Sequence, residues 1–359
     1  MVNRNHIIGY KIVRIVQFNI LMRIITASFL LLAVYGFGQD TQSTFSSLPR
    51  HYGIEVDLVD DSVVTFEYKV VYTEEDSSKQ YIYTTADIDT FLLLMESDLK
   101  SLPDDKDNVL YYMHGMMGGQ VLNMNYTIIG LTELYIHPQD SDLGRLIWIR
   151  WPGNFPVYSR DKENAYAVAK DISVKLLKIN DTISQIKEDR GCAIESDFMA
   201  HSLGCELFKE IHSKIQPPRQ MYGDVILSAA DMDIDVFLSD GSLANLNNYS
   251  RRSTMYYSSK DLTLSISKRL NKKPRLGLDG AHQASAILPS YHFVDVTDIS
   301  DETFLPMKLS GHAYYRGSKI VGKDMLATLR GVDAKSIPGR DINPERPNHY
   351  KLLTDKSIE

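Results

Sequence analysis

The chain has 359 residues, 43% hydrophobic and 24% charged, with a formal charge of −7. That is ordinary globular material, long enough for one large α/β domain or two small ones, and the absence of repeats or low-complexity tracts excludes a solenoid or a disordered chain. The acidic balance also argues against nucleic acid as a partner, because binding a polyphosphate needs clustered Lys and Arg to displace counterions.

Residues 1–38 read separately. They carry four cationic side chains (Arg4, Lys11, Arg14, Arg23), no acidic one, and an apolar run that stops at Gln39-Asp40. A spanning helix needs about 20 apolar residues, and Arg23 cuts this run short. With small Gly36 and Gly38 where a signal peptidase reads, the segment is expected to be a secretory signal peptide, with Met22 as a possible true start. The expected location is therefore extracytoplasmic, periplasmic or secreted. An uncleaved N-terminal membrane anchor is the alternative. Cleavage would take the formal charge from −7 to −11. Export would permit a disulfide between Cys192 and Cys205. One is not expected, because an intervening strand should hold the two on the order of 20 Å apart.

Residues 53–84 alternate apolar and polar side chains, with turn clusters at Asp60-Asp61 and at 74–78. This pattern predicts antiparallel strands at the edge of a sheet. Residues 86–100 then take helical spacing. Continuous apolar runs follow at 108–113, 145–150, 193–199, 224–228, 253–258 and 291–296. Helical stretches separate them at about 119–135, 160–189, 203–215, 234–247 and 261–270. Apolar strands alternating with amphipathic helices predict an α/β fold with a mostly parallel sheet and helices on both faces. No composition break marks a second domain within 39–359. In such sheets chemistry gathers beyond the carboxyl ends of the strands.

The run at 108–113 ends in HGMMGG, residues 114–119, and the run at 193–199 ends in AHSLG, residues 200–204. A strand, a sharp turn with small outer residues and then a helix is what presents a nucleophilic Ser, here Ser202, with Ala200 in place of the usual first Gly. Backbone amides of Leu203 and of Met116 on the glycine-rich loop are the candidate oxyanion donors. His312 lies in LSGHAYY, a Gly-flanked loop from which a base can reach Ser202. His212 points away down a helix, His282 lies in an irregular segment and His292 lies inside a strand. Asp261, after the 253–258 run, is the candidate acid, with Asp231 and Asp233 as the alternatives. His114, Gly115, Met117, Trp151, Tyr158 and His201 are candidates for shaping the cleft.

With these residues in view, the chain resembles the α/β-hydrolase superfamily, in an uncharacterised bacterial branch that is a domain of unknown function. Beyond the HG loop and the AHSLG turn, the resemblance rests on WPGNFPVYSRDKENA at 151–165 and SAADMDIDVF at 228–237. It continues through the stretch from YYSSKDLTLSIS to Gly277 and GHAYY at 311–315. It implies the Ser202, Asp261, His312 set and an esterase-like activity, and leaves the substrate open. The expected chemistry is two-step acyl transfer to water from a small or exposed ester, with no metal, organic cofactor or obligate protein partner. A non-catalytic binding protein of the same fold is the alternative, as is a peptidase or acyltransferase with the same residues. Only about 24 residues separate the strand at 224–228 from the next, which predicts a minimal lid. Membrane contact is expected only if the N-terminal segment stays uncleaved.

Overall fold

Between residues 108 and 113 every side chain is apolar or aromatic after Asn108, and the strand it forms, β4, is covered on both faces. Val109, Tyr111 and Met113 enter one core while Leu110 and Tyr112 enter another. The same alternation separates Ile147 and Ile149 from Leu146 and Trp148, and Val225 and Leu227 from Ile226. A period of two with both sets apolar is the signature of a strand sandwiched between helices.

The computed structural model describes residues 51–59, 63–72, 82–153, 157–191, 195–238, 241–281, 290–302 and 305–354. The segment read as a leader, Cys192, His282 and the turn clusters at 60–61 and 74–78 lie outside them. In chain order the elements begin with β1 (His51–Val59), β2 (Val63–Tyr72), β3 (Ile82–Ala86), α1 (Ile88–Ser101) and β4 (Asn108–Met113). Then come α2 (Val121–Leu131), β5 (Leu143–Arg150), α3 (Tyr158–Arg190), β6 (Ser196–His201), α4 (Leu203–Lys214), β7 (Tyr222–Ser228) and β8 (Ser250–Tyr257). After α5 (Leu262–Asn271) and α6 (Leu276–Asp279) come β9 (Tyr291–Asp295), α7 (Leu305–Ser310), α8 (Tyr314–Gly317), α9 (Lys319–Leu329), β10 (Arg340–Ile342) and β11 (His349–Leu352). The described strands form one sheet in the order β10-β11-β9-β8-β7-β6-β4-β5-β1-β2-β3.

The helices follow from their apolar spacing. In α3, Val168, Ile172, Leu176, Ile179, Ile183 and Ile186 recur every three or four residues and are all buried, and Gly191 ends the helix at φ 63°. One face of the sheet carries α1, α3 and α4, and the other carries α2, α5 and α9.

One expectation holds and two change. The antiparallel strands expected over 53–84 form at the sheet edge as β1, β2 and β3, and β1 also pairs in parallel with β5. Gly53 permits that neighbour: a Cβ there would lie 2.1 Å from the indole of Trp148, which packs across it. The helix expected over 234–247 is absent from the described part of that stretch. Two short 3-10 turns, Ile234–Phe237 and Leu246–Asn248, stand there instead. The chain doubles back, with the Leu243 amide donating to the Val236 carbonyl at 2.8 Å, and its Asp, Ser, Gly and Asn residues suit turns better than helix. Finally, α9, β10 and β11 follow the strand read as the last. They are held by buried Arg340, which reaches Asp324 at 2.7 and 2.8 Å and the hydroxyls of Thr328 and Tyr256.

His212 illustrates how this core treats a titratable group. Its Nδ1–H donates to the Phe208 carbonyl at 2.7 Å and its ring is packed among Phe198, Phe208, Tyr222 and Tyr249. Burial lowers its pKa from 6.5 to about 4. The folded state thus binds the proton more weakly than the unfolded chain. The resulting stability is fully present above about pH 6.5 and is lost as the pH falls toward 4. At pH 5 the loss is about 2 kcal/mol. Urea unfolding at pH 7 and pH 5 should therefore show a smaller fall for His212→Gln than for wild type by about that amount. Equal falls in the two proteins would contradict the assignment.

Candidate active site

Ser202 joins β6 to α4 at φ 54°, ψ −124°, a conformation that L residues rarely adopt. Three backbone bonds hold it there. Its amide donates to the Ser228 carbonyl at 3.0 Å, and its carbonyl accepts from the amides of Cys205 and Asp231 at 3.0 and 3.1 Å. The loop after β4 presses against this turn. A Cβ on Gly204 would lie 2.3 Å from the His114 carbonyl oxygen, and one on Gly115 would lie 2.6 Å from Ser202 Cβ. Both positions need Gly for that contact. The first small position, Ala200, is a ladder residue paired with Met113 and Leu227, where a methyl is accommodated.

His312 comes to Ser202 from the loop between α7 and α8, with Gly311 at φ 60° turning the chain over Asp261. Its Nε2 is 2.9 Å from Ser202 Oγ and its Nδ1 is 2.6 Å from Asp261 Oδ2. In the neutral imidazole the consistent assignment has Nδ1–H donating to the carboxylate and Nε2 accepting from the hydroxyl. Asp261 has no exposed surface, and its second oxygen accepts from the Leu264 amide at 2.8 Å, capping α5. Burial raises its carboxyl pKa, and the imidazole beside it opposes that shift. Ser202, His312 and Asp261 thus stand in one hydrogen-bonded line.

The alternative acids are engaged elsewhere. Buried Arg275 donates through Nε to Asp231 Oδ1 at 2.7 Å and through Nη1 to Asp233 Oδ1 at 2.6 Å, and Ser267 Oγ also donates to Asp231 at 2.5 Å. What the sequence did not reveal is that the Asp231 backbone amide supports the carbonyl of Ser202.

The amides expected to face an oxyanion are available. Leu203 is the first residue of α4, so its N–H has no intrahelical acceptor. Among the described residues no hydrogen bond engages the Met116 N–H. The next amide, Met117 at φ 60°, is tied to the Gly153 carbonyl at 2.5 Å. This arrangement could hold a nucleophile, a proton acceptor and two amide donors around one carbonyl.

Residues 97–327 match the family model described as "Alpha/beta hydrolase of unknown function (DUF900)". The chain belongs to this α/β-hydrolase family. No curated protein matches it. Among solved structures, the hydrolase is similar to EstE5-PMSF at 11% identity and TM-score 0.35, covering 88% of this chain and 99% of that one. It is also similar to the Pyrococcus horikoshii acylaminoacyl peptidase at 10% identity and TM-score 0.35, covering 90% of this chain and 47% of that one.

In this hydrolase several of the residues expected in the cleft lie beneath it. Trp151 is fully buried and His114 is 1% exposed. They stack with ring centroids 5.3 Å apart, Trp151 Nε1–H donating to the His114 carbonyl at 2.8 Å and the Trp151 amide to His114 Nε2 at 3.1 Å. His114 Nδ1–H in turn donates to the Gly115 carbonyl at 2.6 Å. Burial lowers the His114 pKa to about 4, so the ring is neutral and fastens the loop that carries Met116. Gly115 is buried under Ser202, whereas Met116 and Met117 are half-exposed. Tyr158, at the start of α3, accepts from Asn271 Nδ2 at 3.0 Å, and burial pushes its phenol up to about 12. His201 is 8% exposed, with its ring turned behind the site onto the backbone of His312. A cavity of about 340 Å³ lined by Lys162, Lys209, Glu206, Asp233 and Asp235, among others, begins one helical turn from Ser202. Its opposing charges largely cancel, and neither Ser202 nor His312 lines it.

Proposed function

We propose that this hydrolase cleaves a carboxylic ester by two-step acyl transfer, with Ser202 as nucleophile, His312 as base and Asp261 as the acid that orients it. The observation that carries the reading is the hydrogen-bonded line from Ser202 Oγ through His312 to Asp261, at 2.9 and 2.6 Å.

As Ser202 Oγ attacks the substrate carbonyl, its proton passes to His312 Nε2. The imidazolium that forms is stabilised by the Asp261 carboxylate across Nδ1–H. Negative charge on the carbonyl oxygen is met by the amides of Leu203 and Met116, fixed before the substrate arrives. Collapse of the tetrahedral intermediate breaks the bond to the leaving alcohol, which takes the proton from Nε2. Water then repeats the sequence on the acyl-enzyme, giving up a proton to His312 and releasing the acid. These steps draw on protein groups alone. An ester is favoured over an amide because its alcohol leaves with less help from the general acid.

A fluorophosphonate probe should label the folded wild-type protein on a single residue, located at Ser202 by peptide mass spectrometry. The same protein should turn over short-acyl esters faster than matching amides. A well-folded protein that takes no label would point instead to a binding protein of the same fold.

A further inference from the structure

His201 precedes the nucleophile, yet its side chain serves neither the elbow nor the substrate side. Its Nε2 lies 3.0 Å from the carbonyl oxygen of His312, so the two bonds to His312 Nδ1 and Nε2 are joined by a third, to its backbone. The ring is clamped. It packs 4.7 Å from the His312 ring and 4.4 Å from that of Tyr315. Tyr315 is itself fixed from two sides, by a hydroxyl pair with Tyr112 of β4 at 2.7 Å and by Tyr135, which donates to its carbonyl at 2.5 Å. A carbonyl can only accept, so His201 must carry its proton on Nε2. Burial lowers its pKa far below the ordinary value, and His312, Arg316 and His114 nearby oppose a second charge.

We propose that His201 is a positioning residue for His312: its Nε2–H, anchored to the residue beside the nucleophile, sets the height of the His312 loop so that the base meets Ser202 Oγ. A loop residue reached across 110 positions of sequence has many ways to settle 1 Å too high. A displacement of that size can slow a reaction by on the order of a hundredfold. The carbonyl bond runs from the same strand end that carries Ser202, so any shift of the elbow carries the base with it. This proposal rests on the serine-hydrolase reading above.

The test uses three substitutions at one site and one double variant. His201→Phe keeps the ring and its stacking but removes the donor. It should lower kcat about tenfold to hundredfold with KM changed less than about threefold. His201→Gln carries an amide N–H near the lost Nε2 and should restore most of that rate. His201→Asn carries it near the Nδ1 position, facing Gly115, and should not. In a His312→Ala background, His201→Phe should have no further effect, since there is no base left to position. Thermal midpoints confirm that each variant is folded.

Equal losses in Phe, Gln and Asn variants would overturn the proposal, as would a His201→Phe effect that persists without His312. If His312→Ala abolishes turnover while His201→Phe behaves as wild type, this proposal fails and the reading of the site stands. If His312→Ala leaves turnover intact, the reading of the site fails first.

Discussion

Ser202→Ala is expected to lower kcat on esters by on the order of 10⁴–10⁶-fold and to abolish fluorophosphonate labelling. In the proposed mechanism the hydroxyl is the one group in the line that bonds to substrate, and no neighbour is placed to substitute for it. Cys205, on the same turn, is fully buried. Its thiol pKa is raised well above the ordinary value by burial, so it is not a reserve nucleophile. The fold should tolerate the change. Ser202 Oγ bonds to His312, whereas the unusual φ of 54° is held by backbone bonds to Ser228, Cys205 and Asp231 that Ala keeps. Ala pays the same steric penalty at positive φ as Ser does, so the thermal midpoint should move by no more than a few degrees. Turnover within tenfold of wild type would mean that the nucleophile lies elsewhere.

The second large effect separates two carboxylates that the sequence could not fully distinguish. Asp261→Asn should lower kcat by on the order of 10³–10⁴-fold. An amide offers one oxygen where Asp261 uses two, for the Leu264 amide and for His312 Nδ1. If that oxygen stays on Leu264 to cap α5, the NH2 group faces His312 and drives the imidazole proton onto Nε2. The ring can then no longer accept from Ser202. Because Asn is as good an N-cap as Asp, α5 should survive, and the loss should fall on kcat rather than on stability. Asp231→Asn should behave in the opposite way. It leaves buried Arg275 with Asp233 as its remaining charge partner, so the stability loss should fall below the about 3–5 kcal/mol typical when a buried pair is broken outright. Molecules that remain folded should keep kcat within about tenfold, since the Asp231 amide that supports Ser202 is backbone. Measuring kcat and urea stability on both variants decides the matter. The assignment is overturned if Asp231→Asn is the catalytically dead one.

Local signals proved legible where physics is local. β4, β5, β6, β7, β8 and β9 each announce themselves as short runs rich in apolar residues, because a strand covered on both faces sends alternate side chains into two cores. Small residues around Ser202 and the Gly-rich loop after β4 were readable for a related reason: backbone contact leaves a mark on residue size. The stretch at 234–247 misled because its apolar residues fall at helical intervals, while Gly241 and the surrounding Asp, Ser and Asn residues fold it back on itself. Partners distant in sequence left no such mark. Nothing near Asp231 says that Arg275, 44 residues on, will take its carboxylate. Nothing near His114 or Trp151 says that they will stack beneath the site rather than line it. The elements after residue 315 were missed altogether, since β10 and β11 are only three and four residues long and mixed in polarity.

His312 reaches Ser202 across 110 residues and Asp261 across 51, and this separation governs when the site can exist during synthesis. A nascent chain that has emerged as far as α5 carries a serine and a carboxylate but no imidazole to connect them. Closing loops of that length is slow compared with forming the helices and adjacent strand pairs between them. On the mechanism proposed above, reactivity at Ser202 is therefore expected to arise late, once the segment beyond β9 has docked. Covalent labelling of Ser202 is then expected to report docking of the His312 segment, and a chain in which that segment is undocked should stay unlabelled even with its serine exposed.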